Sequence, residues 1–292
     1  MPALAASQYM MISALSFSLM SLFVKLSANA GIPVIEILAS RTLISLVLSY
    51  WFAKRAGLYI WGTHRRLLIA RGLVGFCALL LVYYCISELP LAEATILQFL
   101  SPIFTALLGW LILREQVSKS LAASITLSLL GAVVITKPGL FHASLNLASN
   151  ALLPPMAIAA GIGGAMLSGL AYVLVRKLSD LEHPLVIVFY FPMIALPLTI
   201  PFTIAQFVMP DLLTLGYLVL VGGLTQLGQL SLTQAMQTEN ASKNMAFAYL
   251  QVVFAALWGV LILNEQLLAS TIAGGALVLI GAFINYRSSR KS

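Results

Sequence analysis

Ten apolar runs, each about as long as a bilayer's hydrocarbon layer needs for one helix, follow one another along this chain with only short polar breaks between them. Proline, glycine and charge clusters delimit them at about 8–26, 33–52, 68–86, 92–113, 119–136, 156–176, 184–206, 212–236, 242–263 and 268–286. At roughly 20 residues per span, ten helices take about 200 residues and leave about 90 for nine connections and two tails. The chain has 292 residues, 61% hydrophobic and 9% charged, against about 45–50% apolar and about 25% charged for an ordinary soluble domain. A soluble monomer could not hide that surface. The expectation is an all-α integral membrane protein of ten transmembrane helices, with no extramembrane domain.

Charge placement orients it. The net charge of +7 does not point to nucleic acid, because the 16 Lys and Arg stand singly or in pairs between apolar runs. With both termini cytoplasmic, thirteen of them, Arg71 included, fall in cytoplasmic connections or the tail, and only Lys25 and Lys137 fall outside. That bias is the positive-inside pattern. The sixteenth, Arg41, lies inside the second run. No Lys or Arg precedes the first run, so it is expected to remain as a span rather than to be cleaved as a signal. His64, His142 and His183 stand apart in separate connections, a spacing that offers no metal site; no cofactor is expected.

Sliding the chain on itself by 150 residues exposes a duplication. Leu100 to Gln116 falls over Leu250 to Gln266 with ten of seventeen positions identical, and Glu115-Gln116 meets Glu265-Gln266. The longest connection, Pro138 to Pro155, separates two groups of five runs. The domains expected are therefore a first repeat, 1–137, a connection, 138–154, and a second repeat, 155–292. Five is odd, so the second copy crosses in the opposite sense, as in many secondary transporters.

The ends of the fourth and ninth runs, Ser101-Pro102 through Trp110-Leu-Ile-Leu-Arg-Glu115 and Phe254 through Gly259-Val-Leu-Ile-Leu-Asn-Glu265, resemble the ten-helix EamA-type permeases of the drug/metabolite transporter superfamily. Small-residue helices ending in Gly131-Ala and Gly281-Ala, the early Arg41, and Arg176-Lys177-Leu178 resemble the same group. The resemblance implies a small-metabolite permease, often an exporter, in the bacterial inner membrane. It leaves amino acids, sugars, nucleotide derivatives and drugs as substrate classes. Val252 stands where the first copy has Pro102, so the helix break expected at Pro102 need not recur in the partner.

Polar side chains in a span are costly unless they face protein or a water-filled path, so polar stripes locate a cavity. The eighth run carries Gln226, Gln229, Thr233 or Gln234, and Gln237; the fourth carries Thr95, Gln98, Ser101-Pro102, Thr105 and Gly109. The sixth offers Gly161, Gly164, Ser168 and Tyr172, the first Ser13 and Ser16. Tyr83, Tyr84, Tyr249 and Trp258 could present flat faces with polar edges to a ligand. The candidate substrate-binding residues are Arg41, Tyr83, Gln98, Ser101, Ser168, Tyr172, Gln226, Gln229, Tyr249, Gln251 and Trp258. Interhelical hydrogen bonding is the rival reading for each. Small residues at four-residue spacing in the fifth and tenth runs suit scaffold packing or a homodimer face; Glu115 and Glu265 read as structural staples.

A secondary transporter of small metabolites, with amino acids or related compounds foremost, is the favoured function; a drug or nucleotide-derivative transporter, or a non-transporting scaffold or receptor, is the alternative. No His-Glu-x-x-His, Gly-x-Ser-x-Gly or Gly-x-x-x-x-Gly-Lys-Ser/Thr motif is present, which speaks against a membrane enzyme and against ATP drive within this chain. The other partners expected are membrane lipid and the substrate, with no nucleic acid. None of the nine acids maps to mid-membrane depth, so uncoupled diffusion or exchange is expected, with Glu36 the fallback proton carrier. Arg41 is expected either to hold a substrate carboxylate or to brace the fold.

Overall fold

The computed structural model describes residues 6–113, scattered positions between 123 and 134, residues 153–236 apart from 180, and residues 250–289. The described elements are α1 (Ala6–Asn29), α2 (Val34–Arg55), α3 (Arg65–Glu88), α4 (Leu91–Gln98), α5 (Ser101–Leu113), α6 (Pro155–Ser179), α7 (Pro184–Ala205), α8 (Leu212–Met236), α9 (Leu250–Leu263) and α10 (Ala269–Ser289). Among the described residues there is no strand. Seven stretches are long and apolar enough to cross a membrane, α4 and α5 together making one of them. α9 and Ala269–Gly281 are shorter apolar helices. The run expected over 119–136 lies mostly outside the described residues, as do Glu115 and Tyr249.

Prolines set the starts. Pro33 and Pro90 are the N-caps of α2 and α4, and Pro184 opens α7, where a fixed φ and a missing donor cost nothing. The break near Pro102 falls at Phe99-Leu100, just before α5, and puts Pro102 in that helix's first turn. α9 runs through Val252 without interruption. Three prolines lie within α7, Pro192, Pro197 and Pro201, and each removes one i→i−4 bond. Thr199 and Thr203 donate to the carbonyls of Leu196 and Thr199 in the same stretch, a local compensation of the kind spans use.

Burial is inverted relative to a soluble protein. Leu111, Phe202, Ile204, Leu261 and Ile272 are exposed, while Ser13, Ser16, Thr42, Glu93, Thr225 and Gln226 are buried. An apolar exterior around a polar interior suits lipid as the surrounding solvent. The halves interleave: α1 packs on α8 and α9, α2 on α7 and α8, α3 on α6 and α7, and α5 on α6. Exchanging each helix of the first half with its counterpart in the second leaves these pairings unchanged.

Glycine permits the tightest contacts. A Cβ on Gly164 would stand 3.1 Å from the backbone nitrogen of Val82, and one on Gly169 would stand 2.7 Å from that of Thr105. One on Gly161 would stand 2.8 Å from Cys85 Sγ. The small face of α6 is thus spent on contact with α3 and α5, so Gly161 and Gly164 are packing residues rather than cavity lining. A Cβ on Gly131 would likewise stand 2.6 Å from the carbonyl oxygen of Gly274, which seats Gly131 against α10 within one chain.

Carboxylates tie the halves together at both ends of the bundle. At one end, Glu265 Oε2 accepts from Leu91 N at 2.8 Å, capping α4, whose own N-cap Pro90 makes no side-chain cap bond. Asn264, at φ 53°, turns the chain after α9 and brings Glu265 back. Burial pushes the Glu265 carboxyl up, against the Leu91 N–H and Lys25. Nearby Glu36 Oε2 accepts from Val208 N at 3.1 Å, and Thr271 donates to Glu93 at 2.5 Å. At the other end, Glu182 Oε1 accepts from Thr63 N at 2.6 Å, from Thr63 Oγ1 at 2.7 Å and from His64 N, capping α3.

This last staple carries a pH signature. Burial acts to raise the Glu182 carboxyl, but the donors from His64 and Thr63 together hold it below its ordinary value. A lowered acid contributes stability that is present above its unfolded pKa, about 4.3, and is lost as pH falls through the folded value. The thermal stability gap between wild type and Glu182→Gln should therefore be constant from neutral pH down to about 5 and close as pH drops below about 4. A gap that widens on acidification would contradict the assignment.

Candidate functional site

The site is assembled by four helices. α2 contributes Arg41, Ser45 and Ser49 at four-residue spacing, so all three share a face. α3 contributes Arg71, α7 contributes Val188, Phe191 and Pro192, and α8 contributes Thr225, Gln226 and Gln229. These side chains enclose a cavity of about 40 Å³. A water molecule occupies about 30 Å³ of liquid, so the helices must part before a metabolite can enter. A larger groove of about 370 Å³ lies between α2, α7 and α8 around Glu36, Leu43, Phe207 and Met209. Its lining is mostly apolar apart from Glu36 and it opens on the exterior; the two arginines are in the smaller cavity.

Arg41 enters from one end of the bundle and Arg71 from the other. Arg41 lies about 10 Å along α2 from its start, and Arg71 about 9 Å along α3. Their guanidinium carbons sit 5.8 and 5.3 Å from the centroid of the same ring, Phe191, and Arg41 also lies 5.4 Å from the Tyr83 ring. Gly75, one turn beyond Arg71, makes the room: a Cβ there would stand 3.1 Å from the Phe191 ring and 3.4 Å from Arg71 Nη1. On both arginines Nε and Nη1 are buried without a hydrogen-bond partner among the described residues. The one ion pair among those residues, His64 with Glu182, lies at the bundle's end. Cation–π contact returns about 0.5–2 kcal/mol, while insertion scales put each intramembrane Arg at about 2.5–3.5 kcal/mol or more.

The candidates from sequence divide clearly. Arg41, Gln226 and Gln229 meet at the cavity. Tyr83 is fully buried beside them, its hydroxyl 3.1 Å from Met20 Sδ. Tyr172 is 51% exposed yet within electrostatic range of Arg71 and Arg41, at the margin of the group. Gln98 ends α4, Ser101 starts α5, and neither lines the cavity; nor do Ser168 and Gln251. Trp258 donates from Nε1 to Ser18 Oγ at 3.2 Å, joining α9 to α1, and Ser13 donates to the Gly228 carbonyl at 2.9 Å. Both make interhelical bonds. Gln237 and the side chains of Thr233 and Gln234 lie outside the described residues.

Sequence reasoning placed Arg71 in a cytoplasmic connection; α3 begins at Arg65, so Arg71 is inside the helix with its guanidinium in the cavity. Ser45, Ser49, Thr225 and Phe191 were also missed. The two serines were readable, since they repeat every four residues from Arg41.

Apolar spans around a buried, cationic, polar cavity define an integral membrane protein. The chain belongs to the EamA-like transporter family, which its residues 4–137 and 155–287 both match, and it is a transporter rather than an enzyme. It is 33% identical over 280 residues to the pseudopaline exporter of Pseudomonas aeruginosa, covering 96% of this chain and 95% of that one. It is 27% identical over 279 residues to solute carrier family 35 member G1 of Mus musculus, covering 93% of this chain and 75% of that one. A solved crystal structure shares the fold, with a TM-score of 0.63 over 96% of this chain and 98% of its own at 15% identity.

Proposed function

We propose that this transporter is a secondary exporter of small carboxylate-bearing metabolites, amino acids or related compounds, which works by alternating access through the Arg41 cavity. In this reading ten spans form two inverted repeats, 1–137 and 155–292, joined by 138–154. Both termini are cytoplasmic and the membrane is the bacterial inner membrane. The observation that carries the proposal is Arg41 itself, a buried cation whose Nε and Nη1 lack partners among the described residues, in a cavity lined by amides and hydroxyls. A guanidinium fork suits a carboxylate better than any neutral group. Support for the repeat comes from helix pairings that are preserved when the halves are exchanged. Support for export comes from the Pseudomonas aeruginosa relative.

Tyr83, with its ring beneath Arg41, and Gln226 and Gln229 complete the binding set. Gln98, Ser101, Ser168, Tyr172, Tyr249, Gln251 and Trp258 belong to a path that forms only when the helices part. Lipid is the surrounding partner.

Export from proteoliposomes loaded with a labelled amino-acid panel tests the function. Downhill efflux of carboxylate-bearing solutes, saturable and absent from protein-free vesicles, is the expected result. No saturable efflux of any panel member would overturn it. Reporter fusions after Lys291 and within 138–154 should report opposite sides.

A further inference from the structure

Two arginines, not one, face this cavity, and among the described residues no carboxylate lines it. We propose that the transported solute carries two carboxylates, one held by Arg41 and the other by Arg71; the inference rests on the transporter reading above and narrows its substrate class. The charges come from adjacent helices, α2 and α3, and from opposite ends of the bundle, yet they converge on one ring, Phe191. They interact with each other, and in like sign. On each, Nε and Nη1, which lie on opposite sides of the Nε–Cζ bond, have no partner among the described residues. Each guanidinium therefore keeps donors open to a charge-assisted contact with a carboxylate.

A solute with one carboxylate would satisfy one fork and leave the other cation unpaired at membrane depth, at the cost that intramembrane charge carries. A dicarboxylate neutralises both. Ser49 Oγ, buried and without a partner among the described residues, lies on the same lining and adds a donor. Gly75 leaves room beside the pair, since a Cβ there would press on the Phe191 ring at 3.1 Å.

The test uses purified full-length protein in detergent and in proteoliposomes, with succinate and glutarate as dicarboxylates, butyrate and valerate as chain-length-matched monocarboxylates, and alanine as a zwitterion. Wild type should bind and exchange the dicarboxylates at least tenfold more tightly than the matched monocarboxylates. Arg71→Gln should bring that ratio close to one while monocarboxylate binding persists, and Arg71→Lys should keep part of the preference. Equal affinity of wild type for the two classes would overturn the proposal, as would an unchanged ratio in folded Arg71→Gln. Wild type alone decides the first point even if the Gln variant fails to fold. Monocarboxylates or alanine bound without dicarboxylate preference leaves the carboxylate-export reading standing and sinks only this inference; saturable transport of no carboxylate sinks both.

Discussion

Arg41→Ala should weaken substrate binding about a hundredfold without lowering the thermal stability of the purified protein. Two hydrogen bonds from a charged fork, at about 1.5–3 kcal/mol each, amount to at least about 3 kcal/mol of binding, and 1.4 kcal/mol is a factor of ten. Stability should hold because Nε and Nη1 of Arg41 find no partner within the described fold. Removing an uncompensated cation relieves a cost, and this relief offsets the loss of stacking on Tyr83 and Phe191. Arg41→Lys keeps the charge but loses the fork, so its binding should fall about tenfold on the same reasoning. Binding measured beside a melting curve separates the roles: unchanged affinity with a large fall in melting temperature would make Arg41 a brace.

Gly169→Val should be the most damaging single change to the helix packing. The first carbon alone would stand 2.7 Å from Thr105 N and 2.9 Å from the Phe104 carbonyl carbon. These are backbone atoms of α5 that cannot rotate away, so α5 and α6 must separate. Overpacking of this kind costs about 1–3 kcal/mol, and more where small residues set the approach of two spans. Gly163→Ala on the same helix is the control, since its nearest neighbour would be Leu81 Cδ1 at 3.4 Å, ordinary contact. Melting temperatures of the two variants should differ clearly, with only the Gly169 substitution reducing the yield of monodisperse protein. Equal stability would show that α6 does not rely on that contact.

These outcomes mark what the sequence could reveal. Run length, composition and proline placement made the spans legible, because a bilayer imposes one length on every helix that crosses it. Arg41 and the Gln226–Gln229 pair were legible too, as polar groups inside such runs. Arg71 was not: the expected run 68–86 already contained it, but three residues from the run's start it was counted with Arg65 and Arg66 as connection charge, and that concealed half of the cavity's charge. The α6 stripe misled for a different reason: Gly161 and Gly164 at helical spacing look alike whether they line a path or admit a neighbouring helix, and only the Cys85 and Val82 contacts decide. Glu93 shows the limit of reasoning from depth. It lies two residues beyond the start of α4, where a surface position is expected, yet it is 1% exposed because Thr271 of α10 covers it.

The central claim is that solute passes between α2, α3, α7 and α8 at the Arg41 cavity. Sided thiol labelling tests it most directly, in Cys77→Ser/Cys85→Ala protein carrying a single cysteine in place of Ser45 on the cavity face of α2 or of Leu43 on the exterior face. The account predicts that the cysteine at 45 reacts with a membrane-impermeant thiol reagent from each side of the membrane in turn and is protected by transported solute, while that at 43 reacts from neither. An unreactive cysteine at 45 with transport intact would place the path elsewhere and contradict the account.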